Sequence, residues 1–125
     1  MKKIQLMVVL FVTFSGVVNA QITNTKWKGQ LKLDNTVNVT FDFAKDTLTV
    51  MNLDENSVLE TMTFSAVNST LVLHNVSGLS ECDNATTGKY KYQIENDLLL
   101  ITLVDDSCND RSSALKEVKL TRVTL

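Results

Sequence analysis

The chain has 125 residues, 44% hydrophobic and 21% charged, with 12 basic and 14 acidic side chains, one histidine, two cysteines and no proline. A slightly acidic chain with both signs of charge interspersed suits neither nucleic acid nor an anionic membrane surface, so no nucleic-acid partner is expected. Linkers, internal repeats and low-complexity stretches are missing as well, which leaves a single small domain.

Residues 1–20 read as an export signal. Lys2-Lys3 is a basic start, Met7 to Phe14 is largely apolar, and Val18-Asn19-Ala20 is a small-residue cleavage site. The apolar run is short for a membrane span, so an uncleaved anchor is the lesser alternative. No cysteine follows the cleavage site to carry a lipid. Cleavage starts the mature chain at Gln21, and the loss of two lysines leaves ten basic against fourteen acidic residues, a net charge of −4. The product is expected to be secreted or periplasmic, with no membrane span. In an oxidising compartment Cys82 and Cys108 read as one disulfide. A metal or redox role for the pair has no support, because there is no C-x-x-C and only His74 could assist. Closing a loop of this length contributes roughly 3.5 kcal/mol in the chain-entropy description.

From Gln21 onward the dominant pattern is alternation with period two, punctuated by Asn, Asp, Ser and Gly. A first strand is predicted over Asn24 to Leu33, with Trp27, Gly29, Leu31 and Leu33 on one face and Lys26, Lys28 and Lys32 on the other. After Asp34-Asn35, Val37 to Phe43 alternates most cleanly: Val37, Val39, Phe41 and Phe43 inward, Asn38, Thr40 and Asp42 outward. Thr47 to Met51 returns and pairs Phe43 with Leu48 and Phe41 with Val50.

The turn Asp54 to Ser57 leads to a second hairpin, Leu59 to Val67 and Thr70 to Val76, joined by Asn68-Ser69. Its register sets Ala66 opposite Leu71, Phe64 opposite Leu73 and His74 opposite Thr63. The third hairpin runs from Lys89 to Val104 around Asn96-Asp97, with Ile94 facing Leu99, Tyr92 facing Ile101 and Tyr90 facing Leu103. Extending that register carries Cys108 opposite residue 85, a short loop from Cys82. Asn109 to Ser113 reads as a polar loop, Ala114-Leu115 as a short further segment, and Glu117 to Val123 as the last strand.

Eight strands in a meander bury their apolar faces either as a sandwich or by closing the first strand onto the last. Closure removes both edges in a chain with few edge-blocking devices. An all-β, eight-stranded antiparallel up-and-down barrel is therefore expected, with a β-sandwich as the alternative. Leu98, Leu100 and Val104 fall on the outer face of the seventh strand and call for a cover, either Ala114-Leu115 or a second subunit. Monomer and weak homodimer are both open.

The Thr25-Lys26-Trp27-Lys28-Gly29 stretch, the eight meandering strands and the Leu120-Thr121-Arg122 stretch together resemble the lipocalin-like members of the calycin superfamily. The Gly88 to Tyr92 and Asp105 to Arg111 stretches look like features of small secreted bacterial proteins of that type. The resemblance implies that Trp27 packs against Arg122 as a structural pair, and that the barrel holds a small ligand. The family's Gly-x-Trp is Thr25-Lys26-Trp27 here, and the chain is shorter than a full lipocalin. Bacterial secreted metalloprotease inhibitors, with a small barrel and one disulfide, are a weaker match.

No catalytic constellation is visible. His74 is the sole histidine, on an outer face, and no carboxylate pair sits in a recognisable hydrolase motif. Phosphate-binding glycine loops are missing, no cofactor is implied and the protein is expected not to be an enzyme. Glu81, Asp83, Asp105, Asp106 and Asp110 crowd the cysteines and could in number hold Ca²⁺, but their spacing matches no binding loop. Solvated carboxylates neutralised by Arg111 are the plainer reading, and no metal is expected. Four Asn-x-Ser/Thr sequons, at Asn38, Asn68, Asn75 and Asn84, are read as incidental.

The inward aromatics Phe41, Phe43, Phe64, Tyr90 and Tyr92 are the candidate lining for a small apolar or amphipathic ligand. Simple filling of the barrel is the alternative. A buried tyrosine hydroxyl needs a partner, which a wet or liganded cavity could supply. The expected role is thus an exported binding protein, with a secreted protein-interaction module, such as a protease inhibitor acting through rim loops, as the other possibility.

Overall fold

The computed structural model describes residues 21–124, so the export signal lies outside the described residues. Eight strands follow one another: β1 (Thr25–Lys32), β2 (Thr36–Phe43), β3 (Thr47–Asn52), β4 (Ser57–Val67), β5 (Thr70–Gly78), β6 (Gly88–Glu95), β7 (Leu98–Asp106) and β8 (Glu117–Arg122). Each pairs antiparallel with its neighbours, and β1 pairs with β8, so the sheet is the expected closed barrel. The one departure in element type is α1 (Asn109–Ala114), which replaces the polar loop expected there.

The predicted registers hold where side-chain alternation defined them. Phe43 opposes Leu48, Phe41 opposes Val50, Phe64 opposes Leu73, His74 opposes Thr63, and Ile94 opposes Leu99. The Asn68-Ser69 turn has both central residues at positive φ, 51° and 62°, the backbone hand that matches strand twist. At the β6–β7 turn only Asn96 takes positive φ, at 55°. Three bulges interrupt the ladders, between Val50 and Met51, Thr61 and Met62, and Lys89 and Tyr90. Each adds local twist of the kind that coils a sheet toward closure. The third shifts the last hairpin by one residue, so that Asp106 rather than Asp105 comes opposite Gly88. Alternation does not announce such an insertion, and the straight extension from Cys108 to residue 85 fails for that reason.

Closure depends on close approach at the β1–β8 seam, where Trp27, Lys28 and Gly29 face Arg122, Thr121 and Leu120. A Cβ on Gly29 would stand 2.6 Å from Leu120 Cδ2 and 2.8 Å from the Lys119 carbonyl oxygen. Any side chain there pushes the two closing strands apart.

The core contains Trp27, Leu31, Val39, Phe41, Phe43, Leu48, Met62, Leu71, Leu73, Leu99, Ile101 and Leu120 among others, in one cluster. Ile22, ahead of the first predicted strand, is also fully buried. Leu33 departs from the inward pattern: it lies past the end of β1 and is 45% exposed. Leu98 and Val104 stay exposed, so α1 does not cover the outer face of β7.

Up-and-down topology gives the barrel two unlike ends. One carries the start of β1 and the tight β2–β3, β4–β5 and β6–β7 turns. The other carries the β1–β2 and β3–β4 turns, the β5–β6 loop and α1.

Candidate functional site

The tight-turn end is filled by side chains. Arg122 places its guanidinium carbon 4.4 Å from the centroid of the Trp27 ring, and the indole N–H donates to Thr25 Oγ1 at 2.8 Å. Arg122 also lies 3.6 Å from the Asp97 carboxylate. Phe43, at the end of β2, meets Phe64 edge to face at 5.2 Å between centroids, and Phe41 lies 6.3 Å from Phe43. These rings are buried and pack against one another.

At the opposite end β5 and β6 part company. Their pairing stops at Leu73 and Gly88, although β5 runs on to Gly78. Polar side chains occupy the gap this opens in the wall. Arg111 of α1 donates to Asp106 through Nε (2.5 Å to Oδ2) and Nη2 (2.9 Å to Oδ1), a two-pronged pair whose side chains are 3% and 0% exposed. Arg111 Nη2 also donates to the Thr86 carbonyl at 2.9 Å, and the Tyr90 hydroxyl donates to Asp106 Oδ2 at 2.5 Å. The Cys108 amide adds a further bond to Asp106 Oδ1 at 3.0 Å.

Gly88 makes room for this pair, since a Cβ there would stand 2.6 Å from Asp106 Oδ2 and 2.9 Å from Arg111 Nε. The buried Tyr90 hydroxyl thus finds its partner in a carboxylate rather than in a wet or liganded cavity, and of the carboxylates expected to be solvated Asp106 is the exception.

The ionisation of the group follows from these contacts. Burial pushes the Asp106 carboxyl up, but its bonds to Arg111, Tyr90 and the Cys108 amide outweigh that and hold it below the ordinary value. For Arg111 burial acts against the charge, and the Asp106 contact more than restores it. Burial, then the Asp106 bond, raise Tyr90 far above the usual phenol, so it stays a proton donor. Burial also raises Tyr92.

The β5–β6 loop and α1 hold each other in place. The Cys82–Cys108 disulfide joins them with Cα atoms 5.6 Å apart, and the Glu81 amide donates to Asp110 Oδ2 at 2.9 Å. Asn75, buried on β5, donates to the Cys82 carbonyl at 3.2 Å and to Ser80 Oγ at 3.4 Å. The sequon at Asn75 is thereby enclosed. Ser80 in turn donates to Glu60, through its hydroxyl to Oε1 and its amide to Oε2.

Beside this network lies a pocket of about 520 Å³. Leu31, Val50, Leu59, Met62, Ala114 and Leu115 supply apolar wall, while Glu60, Ser80 and Arg111 supply polar groups. Leu33 and Leu79 stand at it too, the latter 78% exposed.

None of Phe41, Phe43, Phe64, Tyr90 and Tyr92 lines this pocket. The three phenylalanines sit toward the tight-turn end, and Tyr90 reaches the site only through Asp106. Inward alternation shows which residues enter the barrel but not at what depth it is filled. Arg111 and Leu115 belong to a segment with no alternation at all, and the crowding of charge around Cys108 is the sequence signal that marks it.

His74 bonds to Thr87 Oγ1 at 2.9 Å on the outside of the gap. Among the described residues no group of three or more His, Cys, Asp or Glu is placed to hold a metal ion, and no helix is long and apolar enough to cross a membrane. The barrel and the stacking of Arg122 on Trp27 are consistent with a lipocalin-like fold, whereas no protein-family model, curated protein or solved structure matches the chain.

Proposed function

We propose that this chain is an exported, non-enzymatic binding protein that holds a small apolar or amphipathic molecule at the open end of its barrel. The observation that carries this reading is the pocket of about 520 Å³, walled by aliphatic side chains and edged by a few fixed polar groups. Ligand sites have this size and this division of labour, with apolar area for affinity and sparse polar groups for orientation. The packed rings of Phe43 and Phe64 give the barrel a solid far end, so a ligand enters beside α1 and stops above them. The disulfide supports export, because such bonds persist where the medium is oxidising.

Native mass spectrometry of protein purified from its own source tests the reading, since a bound molecule adds its mass to the folded chain. Ser113 is exposed and lines the pocket. We expect Ser113→Trp to reduce ligand retention at least tenfold while leaving the thermal midpoint unchanged; equal retention by the variant removes the pocket from consideration.

A second reading has its own support. Leu33 and Leu79 are 45% and 78% exposed at the pocket, where apolar surface serves a protein partner equally well. On that reading the pocket receives an apolar side chain of the partner, and the rim loops act as a secreted inhibitor's would. Leu79→Lys tests it: a protein complex seated on the exposed leucine should be abolished, and an unchanged complex removes this reading.

A further inference from the structure

We infer that the pocket takes a cationic amphiphile, with its apolar chain in the barrel and its ammonium head at the mouth beside Asp34 and Asp110. The inference rests on the binding reading above and names the charge class of the ligand. Depth in the pocket follows from burial. Leu31, Val50, Met62 and Leu115 line it and are no more than 5% exposed, so they form its floor. Lys32, Asp34, Asn109, Asp110 and Ser113 line it too but are exposed, so they form its mouth. An apolar chain leaves water at the floor, while a charged head stays hydrated at the mouth and escapes the cost of burial.

The mouth favours one sign of charge. The Arg111 guanidinium is held by the Asp106 carboxylate, and the pair presents no net charge to the pocket. That leaves Asp34, Glu60 and Asp110 against Lys32 on the walls. The surroundings reinforce the excess. Segments 30–38, 50–60, 76–90 and 104–119 make up the half of the barrel that bears α1. They hold ten of the fourteen acidic side chains but only five of the ten basic ones of the mature chain. This half therefore carries −5 and the remainder +1, together the −4 of the mature chain. The barrel is a dipole with its negative pole at the pocket, which draws cations in and turns anions away. An exposed ion pair shifts an equilibrium by a factor of up to about five. Attraction of an ammonium and repulsion of a carboxylate compound, so about tenfold should separate the two heads on one chain.

The test uses three probes with one ten-carbon chain: decylamine, monodecanoylglycerol and decanoate, each titrated calorimetrically below its micellar concentration into the mature chain at pH 7 and physiological salt. Decylamine, protonated at that pH, is expected to bind about tenfold more tightly than decanoate and about fivefold more tightly than the uncharged monoester. Asp34→Asn with Asp110→Asn should weaken decylamine binding about fivefold. Asp46→Asn with Glu95→Gln removes the same charge from exposed positions at the tight-turn end, where salt screens it from the pocket, and should leave decylamine binding unchanged. Decanoate binding as tightly as decylamine overturns the inference, as does a mouth variant that binds decylamine like the parent. Equal weakening by both double variants overturns it too, because the effect then belongs to overall charge. The monoester binding most tightly overturns the charge class and leaves the binding reading standing. If none of the three binds, the binding reading itself falls, and this inference with it.

Discussion

The Asp106 carboxylate accepts bonds from Arg111 Nε and Nη2, from the Tyr90 hydroxyl and from the Cys108 amide, with its side chain wholly out of solvent. A buried ion pair of this kind adds little over a well-packed apolar replacement, but losing one partner strands the other charge. We therefore expect Asp106→Asn to lower the unfolding free energy by about 3–5 kcal/mol at pH 7, read from urea titration. The pH dependence has a definite sign. The folded carboxyl lies below its ordinary value of 3.8, so the unfolded chain takes up the proton more readily. Its stabilising contribution is complete above that value and disappears as pH falls through the folded one. Below pH 4 the stability of the parent chain should fall more steeply than that of Asp106→Asn; parallel slopes would contradict the assignment.

At the scale of elements, α1 has six residues, too few to persist alone in water. It is held by the disulfide one residue before it, by Arg111 reaching into the wall and by buried Leu115 just after it. Replacing Cys82 and Cys108 by serine should cost roughly 3.5 kcal/mol through the freedom returned to the unfolded chain. Amide exchange should rise first in residues 79–87 and 109–115, leaving β2 and β3 protected. The opposite end depends on the β1–β8 seam. Arg122→Ala removes the cation from the Trp27 face and should cost about 1 kcal/mol in urea unfolding. Gly29→Ala should cost more, because its Cβ meets main chain at the seam.

On the scale of the whole molecule, closure gives every strand two neighbours, although β5 runs on past Leu73 without β6 beside it. The outer face of β7 keeps Leu98 and Val104 at 59% and 53% exposure. Because neither is packed into the core, the paired change Leu98→Thr and Val104→Thr should alter the unfolding free energy by no more than about 0.5 kcal/mol. A larger loss, growing with protein concentration, would instead reveal a subunit contact across this face. The two ends of the barrel are packed differently. The tight-turn end is solid and structural, while the end bearing α1 trades regular pairing for a polar gap and a pocket.

The sequence by itself determined the strands, their order and most of their registers. A side chain such as Phe41 or Leu99 has only two faces to choose between, and alternation states the choice locally. It also placed the disulfide, because two cysteines allow one pairing. Only the tertiary structure decided where the barrel is filled and where it is open. A bulge after Leu103 turns Asp106 to meet Gly88, and Arg111 comes from a segment with no period to read. Both depend on contacts between residues far apart in the chain, where the cost of burying a charge is met by a partner that no local pattern names.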